Sequence, residues 1–387
     1  MFRILSGIPS RLKNLFALFK PHFTKPQFNN FCRTELALIS AAKKEHDIKS
    51  LNNLFINKKD QSTLNRFFTN SKWTPKNILT QAKQILLKET NKHPTIPKTQ
   101  KTIEHRSIDD TVCKKYSPNT EMACYNHSTT QGNILSHDYV TSIYHTNQIK
   151  IPDNIKLYGN KKKCEQKNTS FKTKIELACE IIDEHEPVAE QTIMHWDSWY
   201  MCREVVEHCK THGYRWIGDI KGNRIIYFGG ERLNVTDLYD RLRSEGRFVD
   251  VCVGGEIYLA CKVIVYVPEV GEVSILINAQ MGTSDVHFLC SDLVELSVFE
   301  LVEMALLRHK IEEFHKEAKG MGFGEYRFHQ SEAALIHAHL VCVALILLDV
   351  LRRRLLRYGI KQSLLTMAGT AEWVGGWTSW GLICSPD

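Results

Sequence analysis

"RHKIEEFHKEAKG", residues 308–320, sets Arg308, Glu312 and Lys319 at intervals of four and seven. At roughly 100° per residue these three side chains fall within about 60° of one another on a helix. Met304, Leu307, Ile311, Phe314 and Ala318 form a neighbouring apolar stripe at spacings of three and four, which docks the helix on a core. Glu312 then stands where core meets solvent. An exposed ion pair between Glu312 and Arg308 or Lys316 would contribute only ~0.3–0.5 kcal/mol and leaves Lys319 unexplained.

Working outward, residues 222–300 contain "NRIIYFGG", "RFVDVCVGG", "EIYLACKVIVYVP" and "EVSILINAQ", a block of strands separated by glycine-containing turns. Before it come strand-like "SIDDT", "DYVTSIYH", "QTIMHWD" and "GYRWIGDIKG", with helical "SWYMCREVVEHCKTHG" between the last two. After the helix, a long helical stretch runs from about Ser331 to Tyr358. Its apolar run, Leu340–Leu348, is bracketed by His337, His339 and Asp349 and is shorter than the ~20 residues of a membrane span, so it reads as a buried helix. The class is α/β.

Residues 1–92 are helical by periodicity, as in "FCRTELALISAAKK" and "ILTQAKQILLKE". Between these lies "SLNNLFINKKDQSTLNRFF". A short helix from about Ser50 to Phe55, a polar turn and a second helix capped by Asp60 would make a helix-turn-helix. Gln61, Ser62 and Asn65 would then face base edges, and Lys58, Lys59 and Arg66 would face phosphates. An ordinary helical hairpin fits the stretch equally well. "NKHPTIPKTQK" reads as a linker over about 91–101. The opening "MFRILSGIPSRLKNLFALFK" is basic and amphipathic, but its charges interrupt each apolar run, so it reads as a first helix rather than a targeting segment.

The net charge of +7 is unevenly placed. Residues 1–105 hold 19 Lys and Arg against 6 Asp and Glu, which suits a polyanionic partner such as nucleic acid. The Lys, Asn, Ile and Thr richness of this half also matches an AT-biased coding sequence. Twelve cysteines without a Cys-x-x-Cys pair fit a reducing compartment. Cys202, Cys209 and His212 lack the ligand spacing of a zinc site.

Three acidic positions lie on three elements: Asp109 and Asp110 in "SIDDTVCKK", Asp197 at the end of "TIMHW", and Glu312 on the amphipathic helix. Brought together, such carboxylates hold Mg²⁺, a hard ion that takes oxygen ligands. Two such ions ~3.5–4 Å apart activate a nucleophilic oxygen and stabilise the leaving oxygen at phosphorus. Strand-end aspartates are common in α/β proteins, so the pattern alone is unspecific.

Arg308, Glu312 and Lys319 reproduce the Arg-x3-Glu-x6-Lys core of a longer signature, Tyr-x2-Arg-x3-Glu-x6-Lys. The chain thereby resembles insertion-sequence transposases of the IS-four-like DDE superfamily. "IDDTV" followed by Lys114 and Lys115 is similar to the first acidic motif of that family, and "HWDSWY" before a helix and "YRWIGDIKGNR" to the second. "FLCSDL" precedes the signature helix, and the likeness covers roughly residues 40–350.

The resemblance implies an RNase H-like catalytic core with a β-rich insertion, preceded by an all-α helix-turn-helix-type DNA-binding domain. The divisions are 1–92 for the basic helical domain, 102–221 for the first part of the core, 222–300 for the insertion, 301–360 for the second part and 361–387 for a tail. Asp110, Asp197 and Glu312 become the catalytic, metal-binding acids, with two Mg²⁺ ions for which Mn²⁺ can substitute. Asp110 is chosen over Asp109 on the acidic-Asp-Thr pattern, with Asp109 as the fallback ligand and otherwise an outer-shell or structural residue.

Arg308 and Lys319 become phosphate binders beside the cleaved end, with Lys221 of "DIKGN" in a similar part. Trp196, Trp199 and Trp216 are candidates to stack a flipped base. Ala305 stands where the signature has tyrosine, which puts hairpin formation in doubt, and His309 stands where tryptophan is common. The implied partners are transposon-end and target DNA, bound by a homodimer in a prokaryotic cytoplasm at the nucleoid. A transposase-derived DNA binder that no longer cleaves, and a stand-alone nuclease, are the competing readings.

Overall fold

The computed structural model describes residues 5–42, 44–70, 72–91, 102–128, 132–146 and 149–356. The linker expected at 91–101 and the tail at 361–387 lie, but for Asn91, outside the described residues.

Side-chain caps fix where the first helices begin. After α1 (Ser10–Ala17), α2 (Lys25–Ser40) is opened by a Thr24–Gln27 capping box. Asp47 accepts the N–H groups of Lys49 and Ser50 to start α3 (Ile48–Asn53), and Asp60 accepts those of Ser62 and Thr63 to start α4 (Gln61–Thr69). The expected helix pair is therefore present, its first member two residues nearer the N-terminus than the apolar pattern suggested. α5 (Pro75–Asn91) completes the helical part.

The sheet begins with β1 (Ile103–Lys114), β2 (Cys124–Ser128), β3 (Gly132–His145) and β4 (Lys150–Tyr158). Then come α6 (Lys161–Lys167), α7 (Lys174–Asp183), β5 (Gln191–Trp196), α8 (Arg203–Thr211) and β6 (Arg215–Asp219). β1 pairs antiparallel with β3 and parallel with β5, and β5 pairs parallel with β6. The sequence pattern missed β2, β4, α6 and α7. The Thr173–Glu176 capping box at the head of α7 was a legible start signal.

The β-rich block comprises β7 (Ile225–Phe228), β8 (Glu231–Asn234), β9 (Val249–Val253), β10 (Glu256–Val267), β11 (Gly271–Gln280) and β12 (Val286–Ser291). It also holds a helix that the strand pattern did not suggest, α9 (Val235–Ser244), opened by an Asn234–Asp237 capping box. These strands continue the same sheet, since β12 pairs antiparallel with β6, and the order is β2-β3-β1-β5-β6-β12-β11-β10-β7-β8 with β4 also on β3 and β9 on β10.

The last helices are α10 (Val298–Arg308), α11 (Lys310–Gly320) and α12 (Ser331–Leu356). The helix expected to run unbroken through 308–320 is divided at His309. There ψ opens to −10°, towards the tighter geometry of a last helical turn. φ stays at −63°, an ordinary helical value.

Two apolar layers sandwich the sheet, and strand parity assigns residues to them. Ile108, Val140, Met194 and Trp196 pack with α7, α8 and α9 on one face. Cys113, Tyr139 and Ile143 pack with α11 and α12 on the other, where Ile193 and Ile217 meet α10. α12 is long and apolar enough to cross a membrane, but 89% of its most apolar window is buried within the protein. A helix apolar on every side needs neighbours on every side. α2, α4 and α5 supply them, so the N-terminal helices share one continuous core with α12.

Gly218 on β6 lies directly against the buried Trp196 indole, into which any Cβ would project. Gly218→Ala is expected to lower unfolding free energy by about 1–3 kcal/mol in urea denaturation. An unchanged midpoint would mean that this layer yields.

Candidate active site

β1, β5 and β6 run parallel; Asp109 and Asp110 lie mid-β1, just past its pairing with β5, while Asp197 follows the last residue of β5 and Asp219 ends β6. Such a row is the usual place for a ligand in an α/β sheet. α10 and α11 cross the same end, bringing Arg308 and Glu312.

Arg308 ties the acids together. Its Nε lies 3.1 Å from Asp219 Oδ2 in an ion pair, and its Nη1 lies 3.1 Å from Glu312 Oε1. Glu312 Oε2 also faces His309 Nδ1 at 3.3 Å. The His309 hydrogen bond and the Arg308 charge hold the Glu312 carboxyl down at about 2, although partial burial opposes them. The break at His309 thus preserves the pairing that the spacing of four suggested. Lys319 is exposed on the last turn of α11.

Asp109 and Asp197 are in the opposite condition. Burial, then the charges of Asp197 and Asp110, push the Asp109 carboxyl well up. Burial also raises Asp197, whose carboxylate accepts the Trp199 N–H at 2.9 Å. The nearest basic side chain recorded for Asp109 is His315, with Nδ1 4.0 Å from Oδ2, and burial keeps that ring neutral by drawing it down to about 3. Asp219, raised chiefly by burial, was missed in the sequence. It follows "WIG" as Asp197 follows "MHW", so the signal was there.

The Asp110 charge also raises both Asp109 and Asp197, but its own hydrogen bonds lie on the other face. Consecutive residues of a strand point to opposite faces, and Asp110 turns to the α7–α8 side. There it accepts Lys174 Nζ at 2.8 Å and the Tyr200 hydroxyl at 3.0 Å. Lys174 also reaches Asp138 Oδ2 at 2.5 Å. Burial and the Asp110 charge raise Asp138 to about 6. Lys174, Tyr200 and Asp138 carry no sequence signature, because only the tertiary fold unites them.

Among the described residues no three His, Cys, Asp or Glu side chains are gathered closely enough to hold an ion. This covers Cys202, Cys209 and His212, where His212 pairs with Asp183 at 3.0 Å and Cys209 is buried. It covers the candidate acids too, which stand around Arg308. Their donor chemistry nevertheless fits a hard divalent cation: the donors are carboxylate oxygens, and Asp109 and Asp197 crowd one another without a lysine or arginine in ion-pair contact among the described residues.

The remaining candidates separate by exposure. Trp196 and Trp216 are buried and stack on one another at 5.6 Å, which makes them core. Trp199 is 59% exposed, with Lys221 Nζ 5.6 Å from its ring centroid. Ala305 is buried against the sheet, so the signature's tyrosine position faces the core here. Lys58, Gln61, Asn65 and Arg66 are exposed, and Gln61 and Asn65 line a groove with Lys49, Asn53 and Arg327. Lys59 is half-buried, its ammonium held by Asn30 Oδ1 at 2.6 Å and its backbone by Asn52.

Over residues 136–358, more than half its length, the chain matches the family described as "Archaeal putative transposase ISC1217", and it belongs to that family. The matched span takes in Asp197, Asp219, Arg308, Glu312 and Lys319 and begins after Asp109 and Asp110. No curated protein matches it.

Glu312 gains ionisation from its partners, so its stabilising contribution is complete above the usual value of 4.5 and fades as pH falls towards about 2. Carboxyl-selective NMR titration is expected to give a Glu312 midpoint well below that of ordinary glutamates. His309→Ala and Arg308→Met should each raise it, and an ordinary midpoint in the unmodified protein would contradict the pairing.

Proposed function

We propose that this protein is a DDE transposase that cleaves DNA at the ends of its element and joins the freed 3′-OH to target DNA. The observation that carries the reading is the pairing of Arg308 with both Asp219 and Glu312 beside the exits of β5 and β6, with Asp197 near enough for its charge to act on Asp219. The order β4-β3-β1-β5-β6, three antiparallel strands followed by two parallel to β1, supports an RNase H-like core.

Asp197, Glu312 and one of the tandem acids of β1 would hold Mg²⁺ or Mn²⁺; the motif favours Asp110. Bound there, divalent cations supply activation of the attacking oxygen and charge stabilisation at phosphorus. In the first step a water oxygen attacks the phosphorus and the P–O3′ bond breaks, leaving a 3′-OH on the element. In the second that hydroxyl attacks a target phosphodiester and expels the target's own 3′ oxygen.

The chain's cationic groups position the strand. Arg308 offers a planar fork and Lys319 a point charge to phosphate oxygens. Lys221 neighbours the exposed Trp199 ring, which offers a stacking surface to an unpaired base. α3 and α4 form the end-binding element, with Gln61 and Asn65 at base edges and Lys58 and Arg66 at phosphates. Lys59 serves this element from within, by fixing the turn between the helices. A homodimer on paired ends is the assembly that the transposase reading entails.

Asp197→Asn and Glu312→Gln are each expected to abolish Mg²⁺-dependent cleavage of end-containing DNA while gel-shift binding survives. Retained cleavage in either would refute that acid's role. Lys58→Ala and Arg66→Ala should each reduce the slope of log affinity against log salt by about 1. Unchanged slopes would move the end-binding surface elsewhere.

A further inference from the structure

The tandem aspartates of β1 are chemically identical and one residue apart, yet the fold gives them different surroundings. Parity along β1 is set by its packing: Ile108 belongs to the α7–α8 layer and Cys113 to the α11–α12 layer. Asp110 shares parity with Ile108, and Asp109 with Cys113. The cross-strand partners agree. Thr141, paired with Asp109, hydrogen-bonds His315 of α11 at 2.8 Å, whereas Val140, paired with Asp110, lies in the opposite layer.

Both oxygens of Asp110 are engaged, one by Lys174 and the other by Tyr200. A carboxylate already neutralised by a half-buried lysine has little to offer a second cation. Asp109 has the reverse character. Its Oδ1 accepts only the N–H of Asp110 (2.8 Å) among the described hydrogen bonds, and its Oδ2 is 4.0 Å from a buried imidazole. It lies on the α11 face, where Arg308 and Glu312 stand.

We propose that Asp109 is the β1 acid that faces the divalent cation, and that Asp110 is a positioning residue. Held by Lys174 of α7 and by Tyr200, Asp110 fixes the pleat of β1 so that its neighbour turns to the Glu312 side. This division of labour rests on the transposase reading above and departs from the acidic-Asp-Thr pattern of the motif.

The test is Mn²⁺ binding by the full chain, read from the loss of the free-ion EPR signal, with circular dichroism confirming each fold. Asp109→Asn and Glu312→Gln should each weaken Mn²⁺ binding about a hundredfold or more, and Asp110→Asn by less than about tenfold. Asp109→Glu, which keeps the charge and moves the oxygens, covers the case in which Asp109→Asn does not fold, and should weaken binding as well.

Asp110→Asn and Lys174→Met should instead lower the thermal midpoint. A hundredfold loss in Asp110→Asn, or unchanged binding in both Asp109 variants while Glu312→Gln loses it, overturns the assignment and leaves the transposase reading standing. Unchanged binding in all of these and in Asp197→Asn removes the reading itself.

Discussion

Side chains alternate along a β-strand, and in the middle of β1 and at the exits of β5 and β6 that alternation decides which acids look towards α10 and α11. Ile193 and Ile217 set the parity on β5 and β6 by packing under α10, while Met194, Trp196 and Trp216 fill the other layer. On the same parity, His195 comes two residues and Asp197 four residues after Ile193, at the exit of β5, and Asp219 two residues after Ile217 on β6. The placement of the acids is thus a by-product of how the core packs. A one-residue slip of any one of these strands would carry its acid to the opposite layer.

Electrostatics then distinguish the acids. Arg308 supplies one cation to two carboxylates, Asp219 and Glu312, in an i,i+4 geometry that survives the break at His309. Asp109 and Asp197 have no salt bridge among the described residues, and burial, with neighbouring carboxylates including Asp110, raises both against the lowering charge of Arg308. Below them lie His105, His145 and His195, with His105 Nδ1 and His195 Nε2 3.0 Å apart and burial keeping the rings neutral. A layer of neutral rings adds no positive charge beneath the acids. Such a site favours whatever brings positive charge from the solvent side, and a divalent cation accompanying a phosphate backbone is of that kind.

Much of this was legible in the chain. The period of 3.6 marked α11, Asp60 announced α4, and the apolar run ending at Asp197 and the strand-like segment leading to "SIDDT" marked two of the parallel strands. Asp219 carried the same mark and went unread. The starts of α7 and α9 were written in capping boxes that lay among strand-like neighbours. What sequence could not supply was tertiary: which face of β1 each aspartate takes, the meeting of Lys174 with Asp110 across 64 residues, and the break at His309. Nor did the basic composition of the first hundred residues reveal that their apolar faces close around α12. The all-apolar character of α12 was the only hint that several elements had to surround it.

The most direct measurement of the central claim is an anomalous difference map from crystals of the protein grown with end DNA and soaked in Mn²⁺. The account predicts density bounded by the carboxylates of Asp109, Asp197 and Glu312, with Arg308 released from Glu312 onto a phosphate. Density on the Lys174 side of the sheet, or none near Glu312, would contradict it.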